Sequence, residues 1–384
     1  MDFEFTEQQK LYRDTVRKVV KNQLDPLAAQ YPSDTLLPKE AILKAMKIVQ
    51  PLGALASRVP ESEGGAGLDH ISIGILHEEM GPGWTFGLFS NEAVATRISH
   101  SDSDDVKSKF LPRLMSGEAI AASATSEPEA GSDPRGIVST AVLKEDHYII
   151  NGTKTWCGNG SISDILLCQA SLGKDEKGRN LITRFVIDRA ESPYEGRDIE
   201  TIGLKRHHLC EVYLDDCPVP KDNRVGEAGD AHKTLTYTWL TQRIAIGLDA
   251  VNLGQKSLAA STSYAKERTQ FGKTIGNFQM VQNMLVDMAT LVDASRLLCY
   301  RALWLLDQGG WASKESSMAK WFACEAALKV TALGIEIHGG MGLTTELGVE
   351  QYYRDARMLT IPDGTTNINK LIVGRELTGI RAFS

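Results

Sequence analysis

The sequence predicts an α+β chain in three parts: helices, then a small antiparallel β unit, then helices again. Three observations carry this. Apolar residues recur at helical spacing from Leu11 to Leu27, Leu36 to Val49 and Ile71 to Met80. After Gly117 the pattern changes to short apolar or alternating runs separated by turn residues. After Gly229 helical spacing returns and persists to the end. Strands and helices do not alternate, which argues against a doubly wound nucleotide-binding sheet.

The first helix begins with a capping pattern, Thr6 and Gln9 ahead of Leu11, Val16, Val19 and Val20. Pro60-Glu61-Ser62-Glu63-Gly64-Gly65-Ala66-Gly67 is too rich in glycine for regular structure. These features give a helical unit over residues 1–120. Tyr148-Ile149-Ile150 leads into Asn151-Gly152, read as a strand entering a hairpin turn. Ile165 to Cys168, Leu181 to Ile187 and the alternating Glu211 to Asp215 supply further strands, giving a β unit over 121–228. The last unit, 229–384, should hold long helices from Asp230 to Glu267, Phe278 to Leu306 and Ser313 to about Gly339, then shorter ones over Val349–Arg357 and Asn367–Leu377.

The 384 residues carry a net charge of -7, with 42% hydrophobic and 24% charged residues. This balance disfavours nucleic acid or an anionic membrane surface as the main partner. No apolar run approaches a membrane span, and no signal peptide precedes the first helix, so a cytoplasmic protein is expected. The six cysteines form no CxxC pair, and the histidines lack metal-ligand spacing, so reduced thiols and no metal site are expected. His207-His208 carry no readable function, and the tryptophans Trp239, Trp304, Trp311 and Trp321 read as core. GxGxxG and GxxxxGK[ST] loops are absent.

Five segments carry the functional signal: Ser126-Glu127-Pro128-Glu129-Ala130-Gly131-Ser132-Asp133, Asn151-Gly152-Thr153-Lys154-Thr155-Trp156, Glu267-Arg268-Thr269-Gln270-Phe271-Gly272, His338-Gly339-Gly340-Met341-Gly342, and Arg354 to Arg375 around Ile361-Pro362-Asp363-Gly364-Thr365. Singly, each has a structural explanation: Trp156 as β core, Arg268 as a helix C-terminal charge, Gly339-Gly340 as a helix stop. In this order and spacing they resemble the flavin-dependent acyl-CoA dehydrogenases over essentially the whole chain.

That resemblance implies FAD as cofactor, an acyl-CoA thioester as substrate, electron-transferring flavoprotein as acceptor, a homotetramer and a C-terminal four-helix bundle. It places the catalytic carboxylate at Asp363, where the family usually has Glu, to remove the substrate α-proton while a β-hydride passes to the flavin. Asp is shorter by about one carbon–carbon bond, which matters against a reacting distance of about 3 Å. The Asp-Gly-Thr variant is similar to the branch acting on alicyclic acyl-CoA thioesters, so a cyclic or branched acyl group is expected. Glu92 is the alternative base, against a plain reading as a capping or ion-paired residue on an exposed face. A third family position for the base is Gln242 in this chain and is closed to that role.

For the flavin, the resemblance names Thr125, Ser126, Trp156 and Gly158, then Thr365 and Asn367. Gly158 stands where the family has a threonine hydroxyl. From a neighbouring subunit it names Arg268, Phe271, Gln279, Gly339 and Gly340. Ser132, Arg243 and Gly364 match substrate-binding positions. Other readings keep the fold and change the reaction: an acyl group on a carrier protein, a flavin oxidase or monooxygenase, or a catalytically silent flavin subunit.

Overall fold

The computed structural model describes residues 4–382, and only the backbone of 232–237. Residues 1–3 and 383–384, at the ends of the first and last expected units, lie outside the described residues.

The helical first part holds α1 (Glu7–Val19), a π-turn over Val20–Leu24, α2 (Asp25–Ala28), α3 (Lys39–Val49), α4 (His70–Met80), α5 (Pro82–Ser99) and α6 (Asp104–Met115). The capping box at Thr6 forms: Gln9 N–H donates to Thr6 Oγ1 at 3.2 Å, and Thr6 N–H to Gln9 Oε1 at 3.1 Å. α4 stops at Gly81, φ 70°, and Pro82 opens α5 at once. A β-carbon on Gly81 would fall 2.1 Å from the Asn252 side chain, so glycine lets a C-terminal helix seat against this joint.

The middle part is one sheet. Its strands are β1 (Ala121–Ala124), β2 (Thr140–Lys144), β3 (His147–Gly158), β4 (Ile165–Lys174), β5 (Asn180–Asp188), β6 (Glu195–Asp198), β7 (Leu209–Pro220) and β8 (Arg224–Val225). They run in the order β6-β7-β3-β2-β4-β5-β8, with β1 beside β4. Pairing is antiparallel except where β4 meets β1 and β2, which run parallel to it. One expectation is corrected: Asn151-Gly152 is not a hairpin turn. β3 runs straight through it, and the pairing with β7 shifts between Ile150 and Gly152. Asn151 exchanges two bonds with Asp216 across this irregularity, side-chain amide to carboxylate at 3.0 Å and Asp216 N–H to Asn151 Oδ1 at 2.8 Å. The turn lies earlier, between β2 and β3, with Glu145 at φ 51°.

The last part holds α7 (Ala231–Glu267), a minute hairpin of β9 (Thr269–Gln270) and β10 (Lys273–Thr274), α8 (Gln279–Asp307), α9 (Ser313–His338), α10 (Val349–Leu359) and α11 (Thr366–Thr378). α7, α8 and α9 close on a core that includes Ile244, Leu248, Val251, Cys299, Leu303, Ala323 and Val330. α10 and α11 pack on α9, and α4 packs on α7 and α8. The tryptophans depart from expectation: Trp304 and Trp311 are exposed, while Trp239 and Trp321 are only half-buried. All six cysteines are buried free thiols. His208 is structural, bonded to Asp198 at 2.9 Å and to the Leu37 carbonyl at 2.9 Å. No described helix is long and apolar enough to cross a membrane, and the described residues hold no cluster fit for a metal.

Candidate active site

Asp363 sits in the turn between α10 and α11. Its φ is 51° and that of Gly364 is 96°. Aspartate tolerates this left-handed region better than most residues, and glycine takes it freely. Three side chains from three helices hold the turn by its carbonyls. Arg243 Nε on α7 donates to Asp363 O at 3.0 Å. Lys320 Nζ on α9 donates to Thr360 O at 3.0 Å and Gly364 O at 2.9 Å. Asn369 Nδ2 on α11 donates to Gly364 O at 2.7 Å and Thr365 O at 3.2 Å. Thr365 then caps α11, its Oγ1 accepting from Ile368 N–H at 3.3 Å.

The backbone is held, yet the Asp363 carboxylate and backbone N–H have no hydrogen-bond partner among the described residues. Burial pushes its carboxyl above the ordinary range, and Arg243, Arg97, Lys320 and Arg58 pull it back in that order. The result is a partly buried carboxylate with raised basicity and open valences.

Glu92 on α5 is the opposite case. It is 3% exposed, not on an exposed face. Arg58 grips it through Nε at 2.7 Å and Nη2 at 2.6 Å, and Ser57 and Thr96 hydroxyls each add a bond at 3.0 Å. Burial acts to raise its pKa, but Arg58 and the two hydroxyls outweigh burial and hold it below the usual range.

Thr125 and Ser126 follow β1 and are tied to β3. Thr155 N–H donates to Ser126 O at 2.9 Å, and Lys154 Nζ to Thr125 O at 3.4 Å. Lys154, fully buried, also pairs with Glu127 at 2.7 Å, and Glu127 accepts from Val138 and Ser139 N–H. This anchored strand then turns Trp156 outward, at φ 60° and 60% exposed, so it is not β core. Ser90 Oγ of α5 would lie 3.6 Å from a β-carbon at Gly158. Asn159 ties the end of β3 to α5 through Gly87 O at 2.8 Å. Thr125, Ser126, Trp156 and Gly158 thus form one edge beside α5.

Arg268, Phe271, Gln279, Gly339 and Gly340 form a second, exposed group. Tyr264 of α7 stacks on His338 of α9 at 4.4 Å, which brings the ends of those helices, and so Arg268 and Gly339, together. Phe271 is 93% exposed with φ 51°. Arg243 on α7 and Arg268 just past its C-terminal end are twenty-five positions apart, or about 37 Å at 1.5 Å per residue. Ser132 and Asn367 are also exposed.

The same architecture and site order are found in known proteins. The described families acyl-CoA dehydrogenase N-terminal, middle and C-terminal domain match residues 6–118, 122–217 and 233–378. The chain belongs to the acyl-CoA dehydrogenase family. It is 34% identical to a probable acyl-CoA dehydrogenase, YngJ, of Bacillus subtilis over 98% of this chain and 100% of that one. It is 33% identical to the glutaryl-CoA dehydrogenase of Desulfococcus multivorans over 99% of each. A solved glutaryl-CoA dehydrogenase in complex with glutaryl-CoA superposes with TM-score 0.92 at 33% identity, covering 99% of this chain and 98% of that one. The protein is therefore an FAD-dependent oxidoreductase of the CH–CH class. Its residues fit a flavin: an exposed indole beside a hydroxyl-bearing strand edge, and a glycine that leaves room between β3 and α5.

Sequence reasoning named Arg243, as a substrate-binding residue, but missed Lys320 and Asn369 among the residues that hold the turn. Lys320 lies in a stripe of small buried residues, Ser316, Ala319, Ala323 and Cys324, and a lysine there was a readable anomaly. Arg97, buried between Thr96 and Ile98, was another.

Proposed function

We propose that this acyl-CoA dehydrogenase removes the elements of hydrogen from the α and β carbons of a compact acyl-CoA thioester, with Asp363 as proton acceptor. One observation carries the assignment of the base: the Asp363 carboxylate has raised basicity and no partner, on a backbone fixed by Arg243, Lys320 and Asn369. A base needs an open lone pair and a fixed position. Bound FAD supplies the acceptor for the β-hydride.

An α-proton of a thioester is weakly acidic, and its removal places charge on the thioester oxygen. The Asp363 N–H, which has no acceptor among the described residues, is suited to receive that oxygen while the carboxylate takes the proton. Lys320 and Arg243 hold the carbonyls of the same turn, so both groups of Asp363 are presented together.

Thr125, Ser126, Trp156, Gly158, Thr365 and Asn367 would hold the flavin from one chain. Arg268, Phe271, Gln279, Gly339 and Gly340 would complete the site from a second copy. The separation of about 37 Å along the α7 direction supports this division; the homotetramer is proposed from the family resemblance. Ser132, Gly364 and the remaining nitrogens of Arg243 would meet the thioester and its pantetheine chain. Electron-transferring flavoprotein is the proposed acceptor. The shorter Asp side chain favours a cyclic or branched acyl group that fills the width beside the base.

Asp363→Asn tests the reading. The variant should keep FAD and bind thioester while losing dehydrogenation; near-normal turnover would remove Asp363 from the role.

A further inference from the structure

Near Asp363 the buried charges do not balance. Arg58 and Arg184 each lie close enough to Arg97 to interact with it, and Arg97 and Arg184 are 6% and 2% exposed. Glu92 is bonded through both oxygens, to Arg58, Ser57 and Thr96. Arg184 donates to the Ala231 carbonyl and has Asp230 as its opposite charge. Arg97 has far less. Its Nη1 reaches Ala93 O at 3.4 Å and its Nη2 reaches Gln242 Oε1 at 3.4 Å, both at the limit of a hydrogen bond. Its Nε is buried with no partner. Asp363 and the already occupied Glu92 are opposite charges that act on it, but neither bonds it among the described residues. A guanidinium taken out of water this way has no carboxylate bonded to it.

Its location says what would supply one. Arg97 spans from α5 to Gln242 on α7, next to Arg243, whose Nε holds the Asp363 turn. The cation therefore stands between the two helices beside the candidate base. It is distant in character from exposed Ser132, where the pantetheine chain is expected. A guanidinium edge with open N–H groups suits a carboxylate, which can accept two parallel bonds.

We propose that Arg97 receives an anionic group of the substrate, a carboxylate carried on the acyl moiety, so that this enzyme selects a dicarboxylic acyl-CoA over its uncharged counterpart. The inference rests on the dehydrogenase reading and adds the functional group to the compact skeleton. The carboxylate is a recognition element, and the reaction at the α and β carbons is unchanged.

The test uses FAD-loaded enzyme with Asp363→Asn to suppress turnover, and reads binding from the flavin spectrum. Ligands are the matched pair glutaryl-CoA and pentanoyl-CoA, the branched pair 2-methylsuccinyl-CoA and 2-methylbutyryl-CoA, and free CoA. At least one carboxylated ester should bind roughly tenfold to a hundredfold tighter than its partner. Adding Arg97→Gln should bring that ratio to about one, and Arg97→Lys should retain part of it. FAD content and melting temperature establish that each variant is folded, and Arg97→Lys serves where Arg97→Gln does not fold. A ratio near one in the parent would overturn the proposal. So would an equal loss for carboxylated, uncharged and free CoA, which would assign Arg97 to a phosphate of CoA. Bleaching of wild-type flavin by the same esters separates the two readings. If uncharged esters bleach and no carboxylated ester is preferred, only the carboxylate inference fails; if none bleaches, the dehydrogenase reading fails first.

Discussion

Glu92 and Asp363 are both carboxylates taken out of bulk water, and their surroundings make them different reagents. Glu92 accepts two bonds from Arg58 and one each from Ser57 and Thr96. Both of its oxygens are bonded, and its pKa is held down. Asp363 has four cations within electrostatic reach, but none bonds its carboxylate, and burial prevails to raise its pKa. Burial alone does not make a base. What distinguishes the two is whether the donors grip the carboxylate or the backbone beside it. At Asp363 the donors of Arg243, Lys320 and Asn369 all go to carbonyls of the turn.

The sharpest break of this contrast is Asp363→Asn. Asparagine suits φ 51° as well as aspartate does, so the turn should persist while kcat falls about a hundredfold to ten-thousandfold. Steady-state turnover with the best thioester checks this. Next is Glu92→Ala, which leaves Arg58 as a buried charge without its carboxylate. It should cost about 3–5 kcal/mol of stability, read by denaturant unfolding, and activity per folded molecule should largely survive.

Lys320→Met removes two hydrogen bonds from the Asp363 turn. A loss of about 1–3 kcal/mol is expected, with kcat lowered more than KM rises, because the substituted residue positions the base without touching substrate. A change confined to KM would contradict the clamp.

The smallest effect is in the pH dependence of stability, where the two carboxylates have opposite signs. Asp363 has a folded-state pKa above the ordinary value of about 3.9. Its contribution to stability is therefore fully present at lower pH and is lost as pH rises through the folded pKa. Asp363→Asn should accordingly melt higher than wild type at pH 7, with the gain vanishing near pH 3. Glu92, held below its ordinary value of about 4.3, contributes stability above that value and loses it as pH falls through the folded pKa. Glu92→Gln should melt lower than wild type at pH 7, with the difference shrinking in acid. Thermal melts across pH 3–8 read both slopes.

Much of the fold was legible because each part has its own period: the capping box at Thr6, the long helical stripe of α7, and the short strands after Gly117 all formed. Asn151-Gly152 misled because the same dipeptide that makes a tight turn also makes a bulge. The choice was set by Asp216, sixty-five residues away. Trp304 and Trp311 misled because aromatic residues read as core, yet both are exposed on the isolated chain.

At the site, Asp363 was legible through its neighbours in sequence. Lys320 and Arg97 were legible only as basic residues out of place among small or apolar helix neighbours, with no signal of what they hold. Their surroundings come from distant segments: Gly364 lies forty-four residues from Lys320, and Gln242 lies one hundred and forty-five from Arg97. Glu92 was legible as a carboxylate on a helix, but its partner Arg58 sits in an irregular segment thirty-four residues earlier. Motifs record which residues are present, whereas the division of labour between two carboxylates depends on which donors reach them.

The most direct measurement is the rate of anaerobic flavin bleaching after rapid mixing with a thioester that reduces the wild type, compared across wild type, Asp363→Asn and Glu92→Gln. The account predicts that Asp363→Asn binds the thioester but bleaches at least about a hundredfold more slowly, while Glu92→Gln bleaches close to the wild-type rate. Rapid bleaching by Asp363→Asn together with a silent Glu92→Gln would contradict it and transfer the role of base to Glu92.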